Sequence, residues 1–338
     1  MTPDIRTTVV GSYPIPAWLT SQPNRTNLRD AVMVVLKTQE LANLDVICDG
    51  ELSRFDVNHP DTNGMIDYFV RPMQGIHSQL SRAERVEFRS RDDFGFRSEP
   101  AGVVREAVDE GGLDLSASFN SIRHLTRLPL KFTLTSPYML ARTLLDCHYG
   151  NLEALVMAIA EVLRQQITSI DASVIQVDEA NLPGSPQDAA IAAAGINHVL
   201  SGTNSETGVH LCFGNYGGQT IQSGLFADLM TFFNSLDCDH LVLEFARRGY
   251  EELQFFRELK PEMQLGLGVV DIKDNGVETP DQIAHRIESA NRTLGPGRVR
   301  WIHPDCGFWM LQRSVADRKM HALSAGRDLF LGTDSDAR

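Results

Sequence analysis

Val174-Ile-Gln-Val-Asp-Glu179, an apolar run that closes on two carboxylates, has four counterparts further along the chain: Val209-His-Leu-Cys-Phe213, Leu241-Val-Leu-Glu-Phe245, Leu265-Gly-Leu-Gly-Val-Val-Asp271 and Val299-Arg-Trp-Ile-His303. Each is short and continuously apolar, the pattern of a strand buried on both faces of a parallel sheet. Helical periodicity follows at 186–200, 224–234, 249–259, 280–294 and 314–330. The strands begin at 174, 209, 241, 265 and 299, steps of 35, 32, 24 and 34 residues. An eight-unit barrel of ~250 residues has a unit of ~31. Toward the amino terminus, 7–11, 46–49 and 131–135 supply three more strands, with helices over 28–43, 138–146 and 152–170. The expected fold is α/β, a single (β/α)8 TIM barrel.

The spacing swells only between Asp49 and Lys131, where 73–128 mixes charge (Arg82, Glu84, Arg85, Arg89, Arg91, Asp92, Asp93) with strand-like alternation. It reads as an insertion after strand 2, either a β-hairpin arm or a small separate domain. The expected organisation is one catalytic barrel over 1–332 that includes this insertion, and a polar tail over 333–338. Of 338 residues, 42% are hydrophobic and 22% charged, enough to build a full core. The formal net charge of −13, with no Lys/Arg cluster, argues against a nucleic-acid partner. No apolar run approaches the ~18 residues of a membrane span, and residues 1–8 lack the layout of a signal peptide, so a cytoplasmic location is expected. Five cysteines without a CxxC pair fit reduced thiols that act singly.

In such a barrel the site lies at the carboxyl ends of the strands. Those ends carry Gly11-Ser12, Asp49-Gly50-Glu51, Thr135-Ser136, Asp178-Glu179, His210-Leu-Cys212, Glu244, Asp271 and Asp305-Cys306. His210 and Cys212, two apart on one strand, point the same way. Glu244 follows one barrel unit later and Cys306 two units after that. A His, Cys, Glu, Cys set is borderline-soft and suits tetrahedral Zn²⁺. Each member also has a plainer reading: the cysteines as small buried hydrophobes, and Glu244 as the partner of Arg247 or Arg248. His303 is a substitute ligand.

The segments Thr8-Val-Val-Gly-Ser-Tyr-Pro14, Ile175-Gln-Val-Asp-Glu179, Val209-His-Leu-Cys212, Leu243-Glu244 and Ile302-His-Pro-Asp-Cys-Gly307 resemble the catalytic domain of cobalamin-independent methionine synthases, in order and in spacing. The resemblance implies methyl transfer to homocysteine on a zinc held by His210, Cys212, Glu244 and Cys306. It also implies that Gly11, Ser12, Glu51 and Asp178 hold the amino-acid substrate. Ser12 and the adjoining amides suit its carboxylate, and the two acids suit its ammonium. The plainer roles are an Arg54 partner for Glu51 and a structural strand-end carboxylate for Asp178.

Two departures bear on the methyl donor. Full-length members carry a second, amino-terminal barrel that helps hold a polyglutamylated folate, and 338 residues leave no room for it. Where the family has a proton-handling histidine after Asp-Ile, this chain reads Asp271-Ile-Lys273, so Lys273 is either a replacement proton donor or a solvated loop lysine. The expected activity is therefore zinc-dependent thiol alkyl transfer, with homocysteine as the thiol. The donor stays open between a methylcobalamin or corrinoid protein and methyltetrahydrofolate. The alternatives are transfer of an epoxide to coenzyme M or a demethylation, and a non-catalytic metal-binding barrel.

Overall fold

A computed structural model describes residues 4–90, 97–215 and 222–333. Its strands are β1 (Arg6–Thr7), β2 (Gln74–His77), β3 (Val103–Asp109), β4 (Lys131–Thr135), β5 (Leu145–Asp146), β6 (Val174–Glu179), β7 (Glu206–Leu211), β8 (His240–Leu243), β9 (Gln264–Val270) and β10 (Val299–Pro304). Seven of them form one sheet in the order β1-β10-β9-β8-β7-β6-β4, parallel at every pairing. The architecture is mixed α/β and TIM-like. β4, β6 and β8 are buried at every position, as the apolar runs require of a sheet covered on both faces. The covering helices are set by their caps: Asn24 and Asn151 accept amide hydrogens at the starts of Arg25–Leu41 and Leu152–Ile167. Thr279 and Gln282 form a capping box ahead of Pro280–Leu294.

The expected strand over 46–49 is not a ladder. Isolated parallel bridges, Thr8 to Val46 and Ile47 to Leu130, link it to the segments on either side. The ladder stops because Gln39 takes over the next pair of backbone groups: its Oε1 accepts from the Cys48 amide at 3.1 Å and its Nε2 donates to the Cys48 carbonyl at 2.6 Å. The chain then turns sharply, with Gly50 and Glu51 both at positive φ (68° and 62°). The helices expected over 224–234 and 249–259 are largely 3-10 turns, Phe226–Leu229 (followed by one short α-helix, Met230–Ser235) and Glu251–Glu258. These connections are short, and a 3-10 turn spans more distance per residue than an α-helix. Phe226 and Phe256 anchor them against Phe245, with ring centroids 5.2 and 5.6 Å away.

Within 73–128, β2 and β3 are antiparallel and flank a helix, Arg82–Arg89. β5 completes this second sheet, pairing parallel to β3, although the sequence reads 145–146 as the end of a helix. That helix stops at Arg142, and the Leu145 amide goes to the Gly102 carbonyl instead. The charged residues are surface pairs, Arg105 with Glu84 at 2.7 Å and Arg85 with Glu99 at 3.3 Å. Arg91, Asp92 and Asp93, and 334–338 of the expected tail, lie outside the described residues. No helix among the described residues is long and apolar enough to cross a membrane.

The amino-terminal end of the sheet is tied by one carboxylate. Glu206 accepts two hydrogen bonds from Arg6 (2.9 and 2.6 Å) and one from Trp301 Nε1 (2.9 Å), and it lies 3.3 Å from His240. Burial alone would raise its pKa, but His240 and Arg6 outweigh burial and bring it down to about 2. A depressed carboxylate stabilises the fold above its unfolded-state pKa, and the contribution is lost as pH falls through the folded value. Glu206→Gln is expected to lower unfolding free energy by about 2 kcal/mol at neutral pH, and the gap should narrow as pH falls below about 4.5 and close toward about pH 2. Urea titrations of both proteins at pH 7 and pH 3 measure this; an undiminished gap at pH 3 would contradict it.

Candidate active site

The parallel register between β6 and β7 sets Asp178 opposite His210. The buried His210 ring is oriented from behind: Nδ1 lies 2.8 Å from the Val242 carbonyl, which can only accept, so Nδ1 carries the hydrogen. Nε2 is buried and without a hydrogen-bond partner, and in the neutral ring it carries the lone pair. Ligand atoms of His210, Cys212 and Cys306 all lie within 4.8 Å of one another. The Cys212 thiol beside Cys306, with the His210 ring, holds Cys306 well below the ordinary thiol range, whereas Cys306 and burial drive Cys212 well above it. Burial would lower His210, but Cys306 outweighs it and raises the ring to about 9. An orphaned imidazole nitrogen facing two sulfurs is a donor set that fits a borderline-soft cation such as zinc.

Glu244 stands outside that 4.8 Å group. Its carboxylate is 3% exposed and Oε1 has no hydrogen-bond partner. The flanking cations are distant, Lys273 at 3.8 Å and Arg248 at 3.9 Å. Burial, then Asp305, pushes it up to about 8. Arg247 is no partner; it turns to Asp271 at 3.4 Å. Lys273 is not a solvated loop lysine: its side chain is 3% exposed and Nζ donates to the Gly214 carbonyl at 3.1 Å. His303 is buried too, but its Nδ1 meets the Pro304 carbonyl at 2.7 Å and its Nε2 faces Gly266, not the sulfurs.

Asp305 joins the loops that carry Glu244 and Cys306. Its carboxylate accepts the amide hydrogens of Phe245, Ala246 and Arg247 at 2.9, 2.8 and 2.9 Å. Gly268 makes this possible, since a Cβ there would lie 2.3 Å from Asp305 Oδ1. Gly307 likewise allows the Cys306 loop against Ser12: a Cβ would fall 1.9 Å from Ser12 Oγ, and the Phe308 amide donates to the Ser12 carbonyl at 2.8 Å.

Ser12, Glu51, Asp178, His210, Cys212 and Cys306 line one cavity of about 420 Å³, room for an amino acid and part of a second molecule. Gly11, Glu244 and Lys273 are not in its wall. Gly11 acts from beneath: a Cβ there would lie 2.3 Å from Glu51 Oε1. Glu51 does meet Arg54, at 3.4 Å, and also accepts from Thr133 Oγ1 at 3.1 Å. Asp178 is pushed up to about 7 by burial, against the nearby His210. Beneath it lie polar residues that sequence reasoning passed over: Gln176, Lys131 and Thr133. A signal existed, because alternate positions of Lys131-Phe-Thr-Leu-Thr135 are polar in a strand that must be buried.

Fold and cavity define an enzyme with a thiol-rich candidate metal site at the carboxyl ends of a parallel sheet. Residues 5–325 match the family model described as "Cobalamin-independent synthase, Catalytic domain", and the chain belongs to that family, whose members are methyltransferases. It is 27% identical to a methionine synthase of Thermococcus kodakarensis over 97% of this chain and 94% of that one. It is 28% identical to the methionine synthase of Pyrococcus furiosus, over 94% and 90%. The B12-independent methionine synthase from Shewanella sp. W3-18-1, solved in complex with selenomethionine, superposes with a TM-score of 0.77 at 22% identity, covering 96% of this chain and 97% of that one. A methyltransferase from Methanosarcina mazei gives 0.60 at 14%, covering 97% and 94%. These two structural likenesses concern the fold.

Asp305→Ala would strand three amide hydrogens at the turn after β8. The expected loss is about 2–4 kcal/mol of stability, read as a lower urea midpoint with an unchanged slope. A midpoint equal to that of the unsubstituted protein would refute the anchoring role.

Proposed function

We propose that the protein is a zinc-dependent methyltransferase that methylates the sulfur of homocysteine to give methionine. The observation that carries this is the shared cavity. Ligand atoms of His210, Cys212 and Cys306 converge within 4.8 Å of one another, and two carboxylates, Asp178 and Glu51, line the same cavity with Ser12. His210, Cys212 and Cys306 would hold the ion, with Glu244 as fourth ligand. Bound there, zinc supplies deprotonation of the substrate thiol near neutral pH. Ser12 receives the substrate carboxylate, and Asp178 and Glu51 receive its ammonium, which directs the sulfur toward His210, Cys212 and Cys306. The sulfur lone pair forms the new carbon–sulfur bond as the methyl–donor bond breaks, its electron pair leaving with the donor. Lys273, behind Glu244 and away from the cavity wall, steadies that carboxylate and does not handle a donor proton.

The architecture we infer around this site is a closed (β/α)8 barrel over 1–332 with 73–128 inserted. The bridges at Val46 and Ile47 support it, since they tie one segment to both outer strands of the sheet. Two acids in the thiol cavity favour an amino acid over a sulfonate thiol such as coenzyme M, which would leave both without a counter-charge.

Cys212→Ser or Cys306→Ser should remove bound zinc and lower methyl transfer by at least ~100-fold, measured by metal analysis and product formation with methylcobalamin and with methyltetrahydrofolate as donors. Asp178→Asn and Glu51→Gln should keep the metal and raise KM for homocysteine by ~10–100-fold. X-ray absorption at the zinc edge should register one more sulfur when homocysteine is added. Unchanged coordination with homocysteine, or equal affinity for coenzyme M, overturns the proposal.

A further inference from the structure

Beneath the proposed ammonium pocket lies a column of buried polar side chains carried by β4 and β6. Lys131, Gln176 and Asp178 are 2%, 0% and 5% exposed. Gln176 and Asp178, two apart on β6, face the same way, and β4 runs alongside with Thr133 opposite Gln176 and Thr135 opposite Asp178. Lys131 Nζ donates to the Val9 carbonyl and, at 2.9 Å, to Gln176 Oε1. Gln176 Nε2 then donates to the Val10 carbonyl at 2.9 Å and to Asp178 Oδ1 at 2.7 Å.

The direction of these bonds is forced. An ammonium has three donors and no acceptor, so the face of Gln176 toward Lys131 must be its oxygen. The amide nitrogen must then face Asp178, and it donates there, so Oδ1 is an acceptor and carries no proton. Were the amide reversed, its oxygen would oppose both the Val10 carbonyl and Oδ1, and the carboxyl group would have to hold a proton between them. A protonated carboxyl has no charge to offer an ammonium group. The column therefore fixes Oδ1 as an acceptor and leaves Oδ2 turned to the ligand, with no proton required between Gln176 and Oδ1.

We propose that Lys131 and Gln176 are positioning residues for substrate selection: Lys131 fixes the Gln176 amide, and Gln176 orients the Asp178 carboxylate so that Oδ2 receives the α-ammonium group of the thiol substrate. This rests on the homocysteine reading and adds how the amine is recognised.

The test compares homocysteine with 4-mercaptobutanoate, the same thiol acid without the amine, by calorimetric binding to the zinc-loaded protein. Metal content and melting temperature are recorded for each variant. The unsubstituted protein should prefer homocysteine by at least tenfold. Gln176→Glu keeps the Lys131 contact but sets a carboxylate against Oδ1. It should weaken homocysteine binding at least tenfold and leave 4-mercaptobutanoate within about twofold. Lys131→Met frees the amide to reverse and should act in the same direction. If Lys131→Met does not fold, Gln176→Glu and Gln176→Met carry the test. A purely structural role would weaken both ligands together, and that result overturns the proposal. So does retention of the preference in the column variants while Asp178→Asn loses it. Failure of the unsubstituted protein to bind homocysteine would instead remove the functional reading beneath it.

Discussion

The register of β7 between β6 and β8 is the constraint on which the site depends. Parallel pairing sets Asp178 against His210 and His210 against Val242, and the second of these relations also orients the imidazole, since the Val242 carbonyl receives its Nδ1 hydrogen. A slip of one residue would turn His210 and Cys212 out of the barrel and bring apolar neighbours in. That slip is costly because both faces of the sheet are covered, every position of β6 and β8 being buried, so the imidazole and thiol would land in an apolar layer without partners. The hydrophobic pattern that builds the sheet thus also sets the chemistry at its carboxyl end.

Few of the charges inside are left to the low-dielectric interior alone. Arg54, 4% exposed at its side chain, meets Glu51 and the Thr133 carbonyl and hydroxyl, and its guanidinium lies 5.0 Å from the Phe69 ring. Asp305 collects three amides, and Glu179 accepts from Ser136 and from the amides of Asn181 and Leu182. Buried ions in such networks contribute little net stability. Removing one member typically costs about 3–5 kcal/mol because its partner is then stranded. Their use is geometric: each joins loops from different strands, so the cavity wall keeps its shape without a ligand. The exceptions are informative. Among the buried atoms without a hydrogen-bond partner, which also include His303 Nε2 and the Tyr250 hydroxyl, His210 Nε2 and Glu244 Oε1 belong to the proposed ligand set.

Most of this architecture could be read from residues because strand and helix periods are strong signals in a two-sided sheet. The carboxyl-end residues of β6, β7, β8 and β10 were legible for the same reason. The first two strand positions were harder. There Gln39 replaces ladder bonds, a side-chain event that no periodicity announces. The division of 145–146 from the preceding helix depends on β3, which lies far away in sequence. Lys273 looks like a loop lysine because charge suggests exposure, yet the fold buries it beside Glu244. Lys131 and Gln176 were visible as polar residues in a buried strand, but their direction of hydrogen bonding needs coordinates.

Glu244 is the member of the set whose position distinguishes a closed metal site from a reactive one. A structural zinc site holds four ligands in fixed tetrahedral positions, whereas a catalytic one keeps a place for substrate. Three of the four proposed donors are gathered and braced: His210 by a strand carbonyl, Cys212 by the Gly214 amide at 3.2 Å, and Cys306 by a loop pinned against Ser12. Glu244 has no equivalent brace on its carboxylate, only two cations at 3.8 and 3.9 Å. Its backbone neighbours are held by Asp305, so the loop stays fixed while the carboxylate retains side-chain freedom. Were a metal held here with Glu244 as the proposed fourth ligand, that carboxylate would be the member an incoming thiol displaces at the smallest cost to the rest of the site, with Lys273 and Arg248 3.8 and 3.9 Å away.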